Sequence, residues 1–210
     1  MRKFKGLSLL FSSAIMLAFF MPSEVSTITI GDQMPMPNYK MENVDGKFHT
    51  LTALKEENGL LVIFSCNTCP FVIGGGKFEG WEKKYDDVNK WAKNAKVGSV
   101  LINSNEAKRT KGDGLEDMKQ RAADYDYDMP YLLDRNHELA DAFGAKTTPH
   151  IFLFNEKDEL IFEGSIDNTW NPKAEKEENY LQDALNAVAE GKKIKVKNSA
   201  PKGCSIKRNS

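Results

Sequence analysis

The run LLVIFS at residues 60–65 constrains the fold of this 210-residue chain more than any other feature. An almost wholly apolar run between a glycine and a cysteine is typical of a strand that is buried on both faces. The run VGSVLIN at 97–103 repeats the pattern. Apolar residues recur at helical spacing between the two runs. They are Phe78, Trp81, Tyr85, Val88 and Ala92. These three elements predict a parallel β-α-β unit.

Shorter elements are predicted on either side of this unit. Two strand-like runs surround Asp45-Gly46, a dipeptide that favours a hairpin turn. Asp113 is predicted to cap a helix that includes Leu115, and Gly144 is predicted to end a further short helix.

The last elements complete an α/β pattern. The runs at 150–155 and 160–166 surround the polar turn EKDE and predict an antiparallel hairpin. A final helix is predicted over 173–190 and ends at Gly191. The element order therefore predicts an α/β fold with a mixed sheet flanked by helices and an N-terminal β-hairpin extension.

The amino terminus has the order of a secretory signal peptide. Three cations precede an apolar run from Leu7 to Met21, and Ser23 and Ser26 follow it. Because the run is shorter than the ~20 residues of a membrane-spanning helix, an uncleaved membrane anchor is the lesser alternative. Residues 1–26 are thus predicted to direct export to the periplasm or the medium, and the signal or anchor is the only predicted membrane contact. The net charge of −1 argues against a nucleic-acid partner.

The chain is predicted to divide into the signal, a main domain at 27–191 and a basic tail at 192–210. The tail carries seven cations and no acidic residue. A charge run of this kind is usually a solvated, flexible terminus. The apolar side chain of Ile206 favours the alternative, in which the tail docks on the domain.

The three cysteines indicate chemistry more than scaffolding. They are Cys66, Cys69 and Cys204. Thiols outside the cytoplasm tend to be oxidised, and an odd number leaves at least one thiol free or transiently paired.

Several motifs together resemble one protein family. A buried strand leading into CNTCPFV, with KTTPHIFLFN and a hairpin well downstream, resembles the thioredoxin fold. The stretches RAADYDYDMPYLLD, AFGAKTTPHIFLF, GSIDN and GCSIKR resemble a peroxiredoxin-like branch of the bacterial redoxin (alkyl hydroperoxide reductase / thiol-specific antioxidant) superfamily. The resemblance implies thiol redox chemistry on a protein or small-molecule disulfide or peroxide. It also implies a thiol reductant as partner and no cofactor.

The register of the cysteines departs from both well-known patterns of that superfamily. Counted from Gly59, the first active-site cysteine of a thioredoxin corresponds to Cys69, and the second corresponds to Val72. Cys66 lies one turn upstream. The Pro-x-x-x-Thr/Ser-x-x-Cys pattern of typical peroxiredoxins is also missing, because Val62 stands seven residues before Cys69.

Cys69 is the predicted nucleophile. A cysteine at a helix amino terminus has its thiolate favoured by the helix dipole, and Pro70 suits the first helical turn. The glycines at 74–76 predict that this helix either breaks after one turn or begins in a pliable way. An inert buried thiol is the alternative for Cys69.

Two cysteines compete for the role of partner thiol. Cys66 either closes a small disulfide with Cys69 or points into the core as a small apolar residue. Cys204 either resolves Cys69 from a mobile tail or is a free surface thiol. Lys202, Lys207 and Arg208 are predicted to stabilise a Cys204 thiolate.

The remaining site residues follow from the resemblance or from metal chemistry. Thr148-Pro149 matches the position of a cis-proline that faces the active-site cysteine, so both residues are predicted to bind substrate. Cys66 and Cys69 with His137 or His150 form an alternative copper or zinc site, as in a metal carrier. Either histidine is better explained as a structural residue, so no metal is predicted.

The function predicted first is that of a thiol–disulfide oxidoreductase. The alternatives are a peroxiredoxin-like thiol peroxidase that acts through a Cys69 sulfenic acid, a non-catalytic metal carrier, and a binding module that keeps only the fold.

Overall fold

The two buried apolar runs form neighbouring strands at the centre of one sheet. The computed structural model describes residues 26–209. Its strands are β1 (Met41–Asn43), β2 (Phe48–His49), β3 (Leu60–Ser65), β4 (Gly98–Asn103), β5 (Tyr131–Leu133), β6 (Thr147–Thr148), β7 (His150–Phe154), β8 (Leu160–Gly164) and β9 (Cys204–Ser205). The main sheet has the order β2-β1-β5-β4-β3-β7-β8, and β6 pairs with β9 separately.

Helices cover both faces of this sheet. They are α1 (Leu51–Leu54), α2 (Pro70–Ile73), α3 (Tyr85–Asn94), α4 (Leu115–Asp124), α5 (Glu138–Phe143) and α6 (Tyr180–Ala189). Short 3-10 helices lie at Trp81–Lys84, Glu106–Lys108 and Arg135–His137. Helices α3 and α6 pack in the apolar cluster on one face, and α5 packs in the cluster on the other.

Strand β3 is buried on both sides, as its composition predicts. It pairs in parallel with β4 and antiparallel with β7. Because successive side chains point to opposite faces, Leu61 and Ile63 enter the cluster with α3, whereas Val62 and Phe64 enter the cluster with α5. The carboxyl end of this strand leads into the loop that contains Cys66 and Cys69.

The predicted fold class is confirmed. The N-terminal hairpin pairs Met41 with His49, and it joins the main sheet because Glu42 pairs with Leu133. Strands β7 and β8 form the predicted antiparallel hairpin. The result is a thioredoxin-like mixed sheet between two layers of helices.

Two local predictions are wrong. The last helix begins at Tyr180 rather than near residue 173. The Asn168 side chain instead holds the backbone of Lys176 and Glu178 in a turn. Asp113 does not cap α4, because Gly114 occupies the cap position and Asp113 is completely buried.

The predicted signal peptide lies outside the described residues except for Ser26. Within residues 26–209 no helix combines the length and hydropathy needed to cross a membrane. The first described residues contact the end of α5. The Thr27 hydroxyl donates to the Gly144 carbonyl at 2.8 Å.

Candidate active site

Cys69 lies in the loop between β3 and α2, at the cap position of that helix. Pro70 occupies the first helical turn, as predicted. The helix stops after four residues at Gly74, whose φ of 92° favours glycine. The Cys69 side chain makes no hydrogen bond to the helix backbone. A single turn has little dipole, so the predicted dipole stabilisation of Cys69 is largely replaced by other contacts.

All three cysteines meet at Thr148. The Cys66 sulfur lies 3.2 Å from the Thr148 hydroxyl, and the Cys69 sulfur lies 3.1 Å from the Thr148 carbonyl oxygen. The backbone N–H of Cys204 points at the Cys69 sulfur from 3.3 Å. The three cysteines are free thiols in this structure. The sequence predicts that Cys66 either pairs with Cys69 or points into the core. In the structure it is buried and also lies at the redox centre.

Hydrogen bonds make Cys69 the acidic thiol of the three. The Cys66 thiol is the strongest influence, and it lowers the pKa of Cys69; burial opposes this effect, and the Cys204 thiol and N–H reinforce it. The pKa of Cys69 falls to about 5, so this sulfur is a thiolate at neutral pH. Donation to Cys69, together with burial, raises the pKa of Cys66 well above the usual thiol value.

The predicted activation of Cys204 is wrong. Burial and then donation to Cys69 raise the pKa of Cys204 to about 11, and the charge of Lys207 offsets this only in part. The other two cations are engaged elsewhere. Lys202 lies over the Trp170 ring at 4.5 Å, and Arg208 bonds Asp141 at 2.6 Å.

The Thr148-Pro149 peptide bond is cis, as the resemblance implies. Thr148 is almost completely buried, and its backbone pairs with Cys204 across the two-stranded sheet of β6 and β9. The segment that carries Cys204 is therefore an extended strand beside the cis-proline.

The basic tail is docked rather than solvated along its last part. Ile206 is 5% exposed and belongs to the apolar cluster of α5, as the docking alternative requires. Its N–H donates to the Lys146 carbonyl at 3.0 Å.

Asp113 organises the loop between Cys66 and Cys69, a role that the sequence did not indicate. Its carboxylate accepts from the Asn67 N–H and the Thr68 hydroxyl, each at 2.7 Å. It also accepts from the amides of Asn103 and Asn105, each at 3.0 Å. The only sequence signal was the cluster of polar residues that follows β4.

The histidines serve structural roles. His150 is buried: its Nδ1 accepts from the Lys146 N–H at 3.1 Å, and its Nε2 bonds Glu163 at 2.5 Å. His137 lies directly before the first residue of α5, and its Nδ1 bonds Asp141 at 2.7 Å. Among residues 26–209 no group of three or more metal-ligating side chains comes together.

Asp167 of the GSIDN motif is also structural. It accepts from the Trp81 indole N–H at 2.9 Å and from the Lys84 ammonium at 2.6 Å, and it bonds Thr169. These contacts tie the loop before α6 to the 3-10 helix at Trp81–Lys84.

An acidic cysteine beside a cis-proline in a thioredoxin-like fold defines a thiol-redox class of protein. Residues 30–183 match the Redoxin family, and the chain belongs to that family. Members of this family are generally thiol oxidoreductases.

Solved structures agree on the fold. An uncharacterised conserved protein from Geobacillus kaustophilus is 29% identical, with a TM-score of 0.76 over 86% of this chain and 93% of that one. A hypothetical protein from Sinorhizobium meliloti 1021 is 28% identical, with a TM-score of 0.73 over 88% and 97%. The peroxidoxin BcpB from Mycobacterium tuberculosis is 16% identical, with a TM-score of 0.53 over 77% and 96%, and shows the fold alone. A search of curated protein sequences returned no match.

Proposed function

We propose that this chain is an exported thiol–disulfide oxidoreductase in which Cys69 is the nucleophile and Cys66 or Cys204 is the partner thiol. The observation that carries the proposal is the position of the Cys69 sulfur, 3.1 Å from the carbonyl of Thr148 and beside the cis-proline. Its lowered pKa, about 5, supplies the thiolate that disulfide exchange needs. The CNTCP motif and the GCSIKR tail support a place in the peroxiredoxin-like branch of the family.

The reaction proceeds by two exchanges. The Cys69 thiolate attacks one sulfur of a substrate disulfide, so a Cys69–substrate disulfide forms and the other substrate sulfur leaves as a thiolate. The partner thiol then loses its proton and attacks the Cys69 sulfur. An intramolecular disulfide forms and the second substrate thiolate is released. The substrate gains two electrons from the protein. An external thiol reductant then supplies two electrons to the protein and restores its thiols.

Both partner thiols are within reach of Cys69. Cys66 contacts it from the same loop, and Cys204 contacts it from β9. Because β9 covers Cys69 in this reduced form, a protein substrate has to replace β9 beside Thr148 and Pro149. The backbone of Thr148 then pairs with the extended substrate chain, as it pairs with Cys204 here.

Reduction of a model disulfide tests the activity. The purified chain is mixed with insulin and dithiothreitol, and precipitation of the reduced insulin chains is followed. We expect Cys69→Ser to abolish the acceleration, whereas Lys195→Ala, at an exposed position of the tail outside β9, leaves it unchanged. Equal acceleration by Cys69→Ser and the unmodified chain would exclude Cys69 as the nucleophile.

Export is supported by the order of charge and hydropathy in residues 1–26. We expect the protein from periplasmic or culture fractions to begin near residue 27, as measured by mass spectrometry of the intact chain. Protein that stays with the membrane and retains residues 1–26 would instead establish the anchored alternative.

A further inference from the structure

The tail segment, defined as residues 203–205, fills the groove that the proposed function gives to a substrate. Cys204 pairs antiparallel with Thr148, the residue before the cis-proline. The same pairing directs the Cys204 N–H at the Cys69 sulfur. The protein thus holds a cysteine of its own chain in the position of a substrate cysteine.

Close contacts fix the tail segment on both sides. Before it, the Lys202 N–H donates to the Ser165 hydroxyl at 3.0 Å, and the Lys202 ammonium lies over Trp170. After it, Ile206 is buried in the core cluster. Gly203 lies so close to Thr148 that a Cβ would be 2.2 Å from the Thr148 carbonyl oxygen, so only glycine fits without a shift.

This arrangement gives the three thiols unequal access to solvent. Cys66 is 1% exposed and Cys69 is 3% exposed, whereas Cys204 is partly exposed. Cys204 is therefore the most accessible of the three cysteines to an external thiol while the tail segment is docked. Its backbone N–H contacts the buried sulfur of Cys69.

We propose that Cys204 is the site at which an external thiol reduces the oxidised protein, through attack on a Cys69–Cys204 disulfide. The proposal rests on the proposed function, because it concerns the step that returns electrons to the same redox centre. It names Cys204 rather than Cys66 as the partner of Cys69. The tail segment stays docked during this step.

An external thiolate attacks the Cys204 sulfur and forms a new S–S bond to it, while the Cys69–Cys204 bond breaks and its electron pair leaves on the Cys69 sulfur. The mixed disulfide joins Cys204 to the first external thiol. A second external thiolate then attacks the sulfur of that first external thiol. That attack releases Cys204, which takes a proton from solvent, and yields the disulfide of the external thiol.

Leaving-group chemistry favours the same direction. Thiol–disulfide exchange is faster when the departing thiol has the lower pKa. Cys69 is the acidic member of the pair, because the Cys66 thiol and the Cys204 N–H stabilise its thiolate. Attack at the Cys69 sulfur would instead expel Cys204, whose pKa is raised by burial and by its donation to Cys69.

The position of Cys66 suits a supporting role in this step. Its sulfur contacts the Thr148 hydroxyl, and the residue is closed to solvent. From there its S–H donates to the Cys69 thiolate as that thiolate leaves.

Glutathione is the probe for the test. The full-length mature chain and its Cys66→Ala variant are oxidised with diamide, freed of reagent, and mixed with an equimolar amount of glutathione. Acid then stops the exchange, N-ethylmaleimide blocks the free thiols, and peptides are mapped by mass spectrometry. We expect a Cys69–Cys204 disulfide before glutathione is added. After it, glutathione is expected on Cys204 and N-ethylmaleimide on Cys69, in both proteins.

Two other results overturn the proposal, and they differ in what they say of the proposed function. Glutathione on Cys69, or a Cys66–Cys69 disulfide with Cys204 free in the unmodified chain, contradicts the role of Cys204 and leaves the oxidoreductase function intact. A chain in which diamide produces no intramolecular disulfide contradicts both.

Discussion

The backbone N–H of Cys204 lies 3.3 Å from the sulfur of Cys69, although 135 residues separate the two positions. A hydrogen bond to sulfur at this site stabilises the thiolate form. The contact exists because β9 pairs with β6, the strand that leads into the cis-proline. The basic tail therefore completes the redox centre of the thioredoxin-like domain.

Cys66 controls the acidity of Cys69. We expect the rate of iodoacetamide alkylation at Cys69, followed by peptide mapping, to rise with a midpoint near pH 5 in the unmodified chain. Cys66→Ala removes the strongest stabilising contact, so the midpoint moves towards the ordinary cysteine value of about 8.5. Cys66→Ser is the matched control, because its hydroxyl still donates to the thiolate. A midpoint that is the same in the Ala and Ser variants would contradict this role.

Gly203 sets the fit of the tail segment in the groove. A valine side chain there collides with the Thr148 carbonyl, and overpacking of this kind costs about 1–3 kcal/mol. We expect Gly203→Val to raise the rate of Cys69 alkylation at pH values above its titration by roughly 5- to 150-fold, the ratio that this free energy gives.

The control for Gly203→Val is Lys195→Ala, which changes an exposed residue of the same tail. Its alkylation rate should equal that of the unmodified chain. If Gly203→Val also leaves the rate unchanged, the tail segment does not shield Cys69.

Local patterns account for what the sequence predicted correctly. The run at 60–65 identifies β3 because a strand buried on both faces needs apolar side chains at every position. The one-turn helix after Cys69 also follows from neighbouring residues, because three glycines come directly after it. The cis bond at Pro149 follows from the family resemblance instead, because only about one X-Pro bond in twenty is cis.

Long-range pairing accounts for what the sequence did not predict. Asp113 holds a loop 46 residues upstream, and no pattern near it shows that partner. The lysines near Cys204 suggested an activated thiol, but burial and contact with Cys69 outweigh their charge. The charged residues at 173–179 have helical propensity and no apolar face, and side-chain bonds from Asn168 hold them in turns instead.

Asp113 is expected to be a large contributor to stability. Asp113→Ala leaves four donors without their acceptor in a fully buried site, and each such loss costs about 1–3 kcal/mol before relaxation. We therefore expect the free energy of unfolding in urea to fall by about 3 kcal/mol or more.

Asp117→Ala provides the matched control for Asp113→Ala. Asp117 is exposed and accepts only the Gly114 N–H at the start of α4, at 3.0 Å. Loss of a capping contact of this kind costs about 1 kcal/mol. Equal losses for the two variants would show that the loop between Cys66 and Cys69 does not depend on the Asp113 carboxylate.

Asp167 makes the stability of the fold sensitive to acid. Burial raises the pKa of its carboxyl, but hydrogen bonds from Lys84, Thr169 and Trp81 outweigh burial, so the pKa lies below its ordinary value of 3.8. As the pH falls, the unfolded chain binds a proton at this residue before the folded chain does. The stabilisation is therefore complete above the ordinary value and is lost as the pH falls through the folded value.

Asp167→Asn removes the charge while keeping the shape. At neutral pH we expect the variant to lose about 1.5–3 kcal/mol, the usual contribution of hydrogen bonds to a charged group. The difference in free energy of unfolding between the two proteins should stay constant above about pH 5 and shrink below about pH 4. Asp87→Asn, in an exposed ion pair with Lys90, should lose less than about 1 kcal/mol. If the difference in free energy of unfolding between the unmodified chain and Asp167→Asn instead grew as the pH fell, the Asp167 carboxyl would be protonated more readily in the folded chain. The three hydrogen-bond donors would then not offset the effect of burial.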